Sequence, residues 1–229
     1  MTIGIHDPES SDAAFPPMIP ALEAGDRLNR LEFERRYAAM PRLKKAELIE
    51  GTVYMAAAVR FRHHAHPHAL LLTWLSVYAA TRSQLEVADN ATVRLDLDNE
   101  PQPDIILRVK EEAGGRSRIS EDDYIEGAPE LIVEIAASTA SDDLHQKFNL
   151  YRRHGVQEYL VWRVLDGEID WFCLREGEYQ RQIPDDRGRL SGDRFPGLVL
   201  DVPALLAGNL ADVLASLPYP SPTPNHGLQ

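Results

Sequence analysis

Two carboxylates and one amine in this sequence carry the strongest suggestion of chemistry, because of where they sit. Asp104 follows Pro103 at the head of IILRV, and Glu134 lies inside LIVEI. A carboxylate within an apolar strand is costly unless it is paired, hydrogen-bonded or bound to a cation. Taken singly, each acid is equally well explained by a salt bridge to one of the twenty arginines, or by a strand end that reaches water. As a pair on adjacent strands they say more. Two clustered anionic groups repel unless a cation joins them, and carboxylates completed by water and substrate phosphate describe a Mg²⁺ site, with Mn²⁺ as a substitute. Lys147, one of only four lysines, falls in DDLHQKFNLY just after the Glu134 run. Its plain alternative is a solvated helical lysine paired with Asp143. Near a cation-bound phosphate, an ammonium orients or deprotonates the attacking water and offsets charge in the transition state.

The elements that must position these groups follow from periodicity. Leu28 to Ala39 has helical spacing, and AELIEGTVYMAAA reads as a hairpin turning at Glu50-Gly51. Pro67 to Arg82 is apolar around most of its circumference and predicts a buried helix. Leu85 to Leu97 reads as strands interrupted at Asp89-Asn90, Pro103 to Val109 as a strand, and Glu111 to Ser120 as a loop. Glu130 to Ala136 and Gln157 to Val164 are short, nearly continuous apolar runs that suit strands buried on both faces. Ser138 to Ser141 offer N-caps for a helix running to His154 and ended by Gly155. Asp166-Gly167 turns into IDWFCL, YQRQI adds a further strand, and Val202 to Leu217 closes as a helix. This order predicts a mixed α/β fold with a central sheet. Eight βα units do not fit, and the glycine patterns that cradle nucleotide phosphates are missing.

Composition narrows the classes further. With 44% hydrophobic and 26% charged residues, the 229-residue chain has the make-up of a globular protein. No window approaches the ~20 apolar residues needed to cross a bilayer. The net charge of −12 does not favour unaided tight binding to nucleic acid, but allows a local basic groove or a screening metal ion. Cys173 is the only cysteine, and the N-terminus has no basic-then-apolar leader, so the expected setting is cytoplasmic and reducing. Residues 1–19 are expected to be disordered, 20–217 to form a single domain, and 218–229 to be a Pro-rich tail.

Five motifs in order, ELIEG-TVYM, QPDIIL, EGAPELIVEIAAST, D-x-x-x-K-x-x-x-Y and GVQEYLVW, resemble the Uma family of endonucleases inferred from their fold. The resemblance runs from about Leu28 to Leu206. It implies the restriction-endonuclease-like PD-(D/E)xK fold, a mixed central sheet flanked by helices with additional β-hairpins. It matches Asp104 and Glu134 to the metal-binding acids and Glu47 to an upstream supporting glutamate. The position two after Glu134 is Ala136 rather than lysine, and Lys147 matches the lysine that has moved to the following helix.

Secondary candidates surround this set. FRHHAHPHA holds His63, His64, His66 and His68, which read as zinc ligands or as a polar loop leading into the buried helix. Between these, His64 or His66 could face the carboxylates and contact substrate. Gln102 could hold a water or phosphate, and Tyr151, one turn after Lys147, could reach the same pocket or pack in the core. Arg60/Arg62, Arg116/Arg118 and Arg152-Arg153 are phosphate contacts or solvated surface. The expected function is Mg²⁺-dependent hydrolysis of phosphodiester bonds in nucleic acid, DNA foremost, with a homodimer a plausible assembly and no membrane partner. The alternatives are a nuclease fold that binds or assembles without turnover, and a zinc hydrolase built on the histidines.

Overall fold

Six strands make a mixed sheet at the centre of the molecule. The computed structural model describes residues 19–56, 58–136 and 140–218, with 140–144 described by backbone alone. Helix α1 (Arg30–Ala38) precedes a hairpin of β1 (Ala46–Ile49) and β2 (Thr52–Met55). A π-helical turn, Phe61–Ala65, runs into α2 (His66–Ala79). β3 (Leu85–Asp89), β4 (Val93–Arg94) and β5 (Ile105–Val109) follow, then β6 (Arg118–Ile119), β7 (Ile125–Glu126) and β8 (Leu131–Ala136). After α3 (Ala140–His154) come β9 (Glu158–Arg163), β10 (Glu168–Arg175) and β11 (Glu178–Arg181). The ribbon of β12 (Arg189–Ser191) and β13 (Val199–Asp201) leads to α4 (Val202–Leu206) and α5 (Leu210–Ala215).

The central order is β11-β10-β9-β8-β5-β3, with β8 and β9 parallel and every other pair antiparallel. β5, β8 and β9 read as continuous apolar runs because both faces of the sheet are covered. Alternate residues go to opposite cores. Ile105, Leu107, Leu131, Val133, Leu160 and Trp162 pack with Trp74 and Leu75 of α2. Ile106, Ile132, Tyr159 and Val161 pack with Leu150 and Tyr151 of α3. A third cluster, Phe33, Leu48 and Val53 among others, seats the hairpin on α1. No helix among the described residues is long and apolar enough to cross a membrane.

Several elements differ from the sequence reading. The closing helix expected over Val202 to Leu217 is two helices, because Gly208 takes a positive φ of 73° and Asn209 starts a new N-cap on Asp212. The loop expected over Glu111 to Ser120 contains a 3₁₀ turn at Glu111–Ala113 and the short β6. The histidine segment is not a loop but helix continuous with α2. Pro67 has no N–H to donate, and the turn ahead of it is wound wider, with the Ala65 N–H reaching the Arg60 carbonyl at 3.1 Å. The N-cap candidates Ser138 and Ser141 lie outside the described side chains.

Candidate active site

The register of β5 against β8 brings the two acids together. Ile105 faces Val133, Ile106 faces Ile132 and Leu107 faces Leu131. One step further along the ladder Asp104 falls opposite Glu134. Asp104 has the facing of Ile106 and Glu134 that of Ile132, so both side chains lie on the α3 side of the sheet. Each is nearly buried, 3% and 8% exposed. The junction is tied by the Ile135 N–H, which donates to Asp104 Oδ2 at 2.8 Å.

Helix α3 lies over this face and delivers an amine and a phenol one turn apart. Lys147 Nζ is 2.9 Å from Glu134 Oε1 and 3.0 Å from Glu47 Oε1. The Tyr151 hydroxyl donates to the same Glu134 Oε1 at 2.8 Å. Glu47 comes from β1, and the backbone N–H of Gln102 holds it at 2.8 Å. Around Asp104, His64 Nε2 is 3.2 Å from Oδ2 and Lys45 Nζ is 3.4 Å from Oδ1 and 3.2 Å from Asn90 Oδ1. His68 Nε2 lies 3.0 Å from the Asp104 carbonyl and 3.1 Å from Asp89 Oδ1. Both partners of His68 Nε2 are acceptors, so that nitrogen carries the proton.

The electrostatics divide the site in two. Burial raises Glu134 to about 7, with Asp104 and Glu47 adding to the rise and Lys147 opposing it. Burial pulls the Lys147 ammonium the other way, but Glu134 and Glu47 more than reverse this and hold it well above its ordinary value. Lys147 is therefore a fixed cation rather than a base at neutral pH. Burial would also raise Asp104, yet His64, Lys45 and the Ile135 N–H outweigh it and keep that carboxyl well below the usual range. Asp104 is ionised wherever the protein is folded at neutral pH.

A family model described as "Putative restriction endonuclease", Uma2, matches residues 31–203. The chain belongs to the Uma2 family. The structure of "a putative nuclease belonging to DUF820" from Anabaena variabilis ATCC 29413 is similar, with a TM-score of 0.60 at 15% identity, covering 76% of this chain and 96% of that one. At that identity the likeness shows the fold, which is the mixed nuclease-type sheet expected from the motifs. No curated protein matches the chain.

Within this Uma2 chain, Asp104, Glu134, Glu47 and Lys147 converge, and so does His64. His66 does not reach the carboxylates. It is exposed and stacks on Phe61, with ring centroids 5.6 Å apart, because two residues along a helix turn the side chain well away from His64. Tyr151 is wholly buried, so it orients Glu134 from the core side. Gln102 contributes its backbone to Glu47, while its side-chain Oε1 is buried without a partner. Lys45, Asn90 and Tyr54 were not singled out from sequence, and His68 only as one of the four clustered histidines. Lys45 stands two residues before Glu47, the same-face spacing of a strand, and Tyr54 pairs across the hairpin with Glu47. Those two spacings were available in the sequence.

Among the described residues no three His, Cys, Asp or Glu side chains form a cluster that could hold a metal ion. His64 and His68 turn Nε2 to Asp104 and Asp89, and His66 stacks on Phe61 instead of joining them. The donors at Asp104 and Glu134 are carboxylate oxygens, with the orphaned Gln102 Oε1 in the same segment. That chemistry fits a hard divalent cation held by one or two carboxylates, with water filling the remaining positions.

Proposed function

We propose that this chain is a Mg²⁺-dependent endonuclease that hydrolyses phosphodiester bonds in DNA, with Mn²⁺ able to substitute. The observation that carries this reading is the convergence of Asp104 and Glu134 on one face of adjacent strands with Lys147 2.9 Å from Glu134. Asp104 and Glu134 would hold the ion, with Glu47 in support. The bound ion would supply positive charge at a phosphate and make a nearby water more acidic. Lys147, held charged, offsets negative charge developing on the phosphate in the transition state. Tyr151 fixes the Glu134 rotamer, and His64 and Lys45 keep Asp104 anionic. The test is cleavage of plasmid DNA with Mg²⁺ or Mn²⁺. Asp104→Ala is expected to abolish it, and full cleavage by that variant would trace the activity to a contaminant.

A second reading is a nuclease fold that binds without turnover. Lys147 already pairs with both Glu134 and Glu47, which favours it. Calorimetric titration separates the two, since a silent module takes up no divalent ion and is indifferent to Glu134→Gln. The lone, buried Cys173 supports a reducing, cytoplasmic setting. Pairing of two chains would present two sites to the two strands of a duplex.

A further inference from the structure

Arginines on this acidic protein are mostly spoken for. Arg152 pairs with Glu178, Arg153 with Glu50 and Arg118 with Glu126. Arg60 and Arg62 are not, and they share this with Arg42, Arg116, Arg187 and Arg194 elsewhere on the surface, but only they flank an exposed ring beside the carboxylate site. Both are exposed on the turn that carries His64, and among the described residues neither has an ion-pair partner. Between them stands Phe61, 71% exposed and stacked on His66, which is also exposed, at an interplanar angle of 22°. Every other described Phe, Tyr and Trp ring except Tyr54 is buried or half-buried. Tyr54 pairs across the hairpin with Glu47. These two exposed rings therefore both belong to segments that build the carboxylate site.

Leaving a phenyl ring in water forgoes the burial its area offers. The same three residues suit one ligand well. A nucleobase has an apolar face for stacking, and the phosphates on either side of it match two cations. Duplex DNA keeps its base faces stacked on one another, so a ring can use this platform only where a base is unpaired. His64, three residues on in the same turn, touches Asp104.

Building on the nuclease reading, we propose that Phe61, backed by His66 and flanked by Arg60 and Arg62, is a stacking platform for an unpaired base. It makes single-stranded or locally opened DNA the preferred substrate. Binding is read by fluorescence anisotropy of a labelled oligo(dT) and of the matching duplex, on the full chain, with Ca²⁺ in place of Mg²⁺ so that binding is measured apart from cleavage. Wild type should bind the single strand more tightly. Phe61→Ala should weaken single-strand binding roughly fivefold to a hundredfold, leave the duplex unchanged, and be rescued by Phe61→Trp. Arg60→Gln and Arg62→Gln should each lower the salt slope of single-strand binding by about 0.7. The exposed position makes misfolding of Phe61→Ala a poor explanation of any loss, and an unchanged unfolding temperature checks this. Preference for duplex, or single-strand binding indifferent to Phe61→Ala, overturns the platform. If that happens while Asp104→Ala still abolishes cleavage, the nuclease reading stands without it. A wild-type chain that neither binds nor cleaves DNA overturns both.

Discussion

Replacing Lys147 by methionine tests the arrangement at its centre. The side chains of Lys147, Glu47 and Glu134 are only 12%, 14% and 11% exposed. Methionine keeps most of the volume and removes the charge, so the loss is electrostatic rather than a cavity. Two carboxylates are then left facing each other with little water to screen them. Removing one partner of a buried ion pair typically costs about 3–5 kcal/mol. For a chain of this size each kcal/mol lowers the unfolding temperature by about 2–4 °C, which gives a fall of roughly 6–20 °C. Thermal and urea unfolding of Lys147→Met, Glu134→Gln and the double variant complete a cycle. The coupling should reach about 1–3 kcal/mol, because Glu134→Gln removes the charge that Lys147→Met leaves uncompensated. The double variant should therefore be more stable than Lys147→Met alone. A loss below about 0.5 kcal/mol, or simple additivity, would falsify the claim that Lys147 holds these two acids together.

Three further outcomes are expected. Burial, with the Glu34 carboxyl adding to it, raises Glu100 from 4.5 to about 8. A folded value above the unfolded one means that this stability is complete below the unfolded pKa and is lost as pH rises through the folded one. The unfolding free energy from urea titrations should fall between about pH 5 and about pH 9 by on the order of a few kcal/mol, and Glu100→Gln should flatten the fall; an equal slope in the variant would refute the assignment. Tyr151→Phe leaves a buried Glu134 oxygen short of a donor and should cost about 1–3 kcal/mol in urea unfolding, with cleavage also reduced, so a variant as stable as wild type would show that the bond is idle. Gly192→Ala would put a methyl 2.2 Å from Glu158 Oε2, the carboxylate that anchors Arg194 N–H and Trp171 Nε1, and should cost about 1–3 kcal/mol or more, while Ser191→Ala beside it should change little.

Glu130 and Glu158 show where reading the sequence stops. Both sit beside apolar runs and are 0% and 1% exposed, so by position they are as conspicuous as Glu134. Their oxygens accept backbone N–H groups, of Val109 and Arg116 for Glu130 and of Arg194 for Glu158, together with the Trp171 indole. They tie strands to loops. Glu134 and Asp104 instead face side chains supplied by other elements, the ammonium groups of Lys147 from α3 and Lys45 from just before β1, and the imidazole of His64 from the turn before α2. Strand type and facing could be read locally, because alternation and β-branched runs are properties of a few consecutive residues. The hairpin, the central strands and the helix of Lys147 were legible on that basis. The identity of a buried acid's partner depends on contacts 40 residues away for His64 and 59 for Lys45, and no local pattern encodes these. The same limit explains why Phe61 passed as part of a polar loop. A ring's exposure depends on what packs over it, and among the described aromatic rings only His66 stacks on Phe61. Burial of a carboxylate is thus common to both groups of acids, and what separates a candidate site from a structural tie is a cation brought to it from another element.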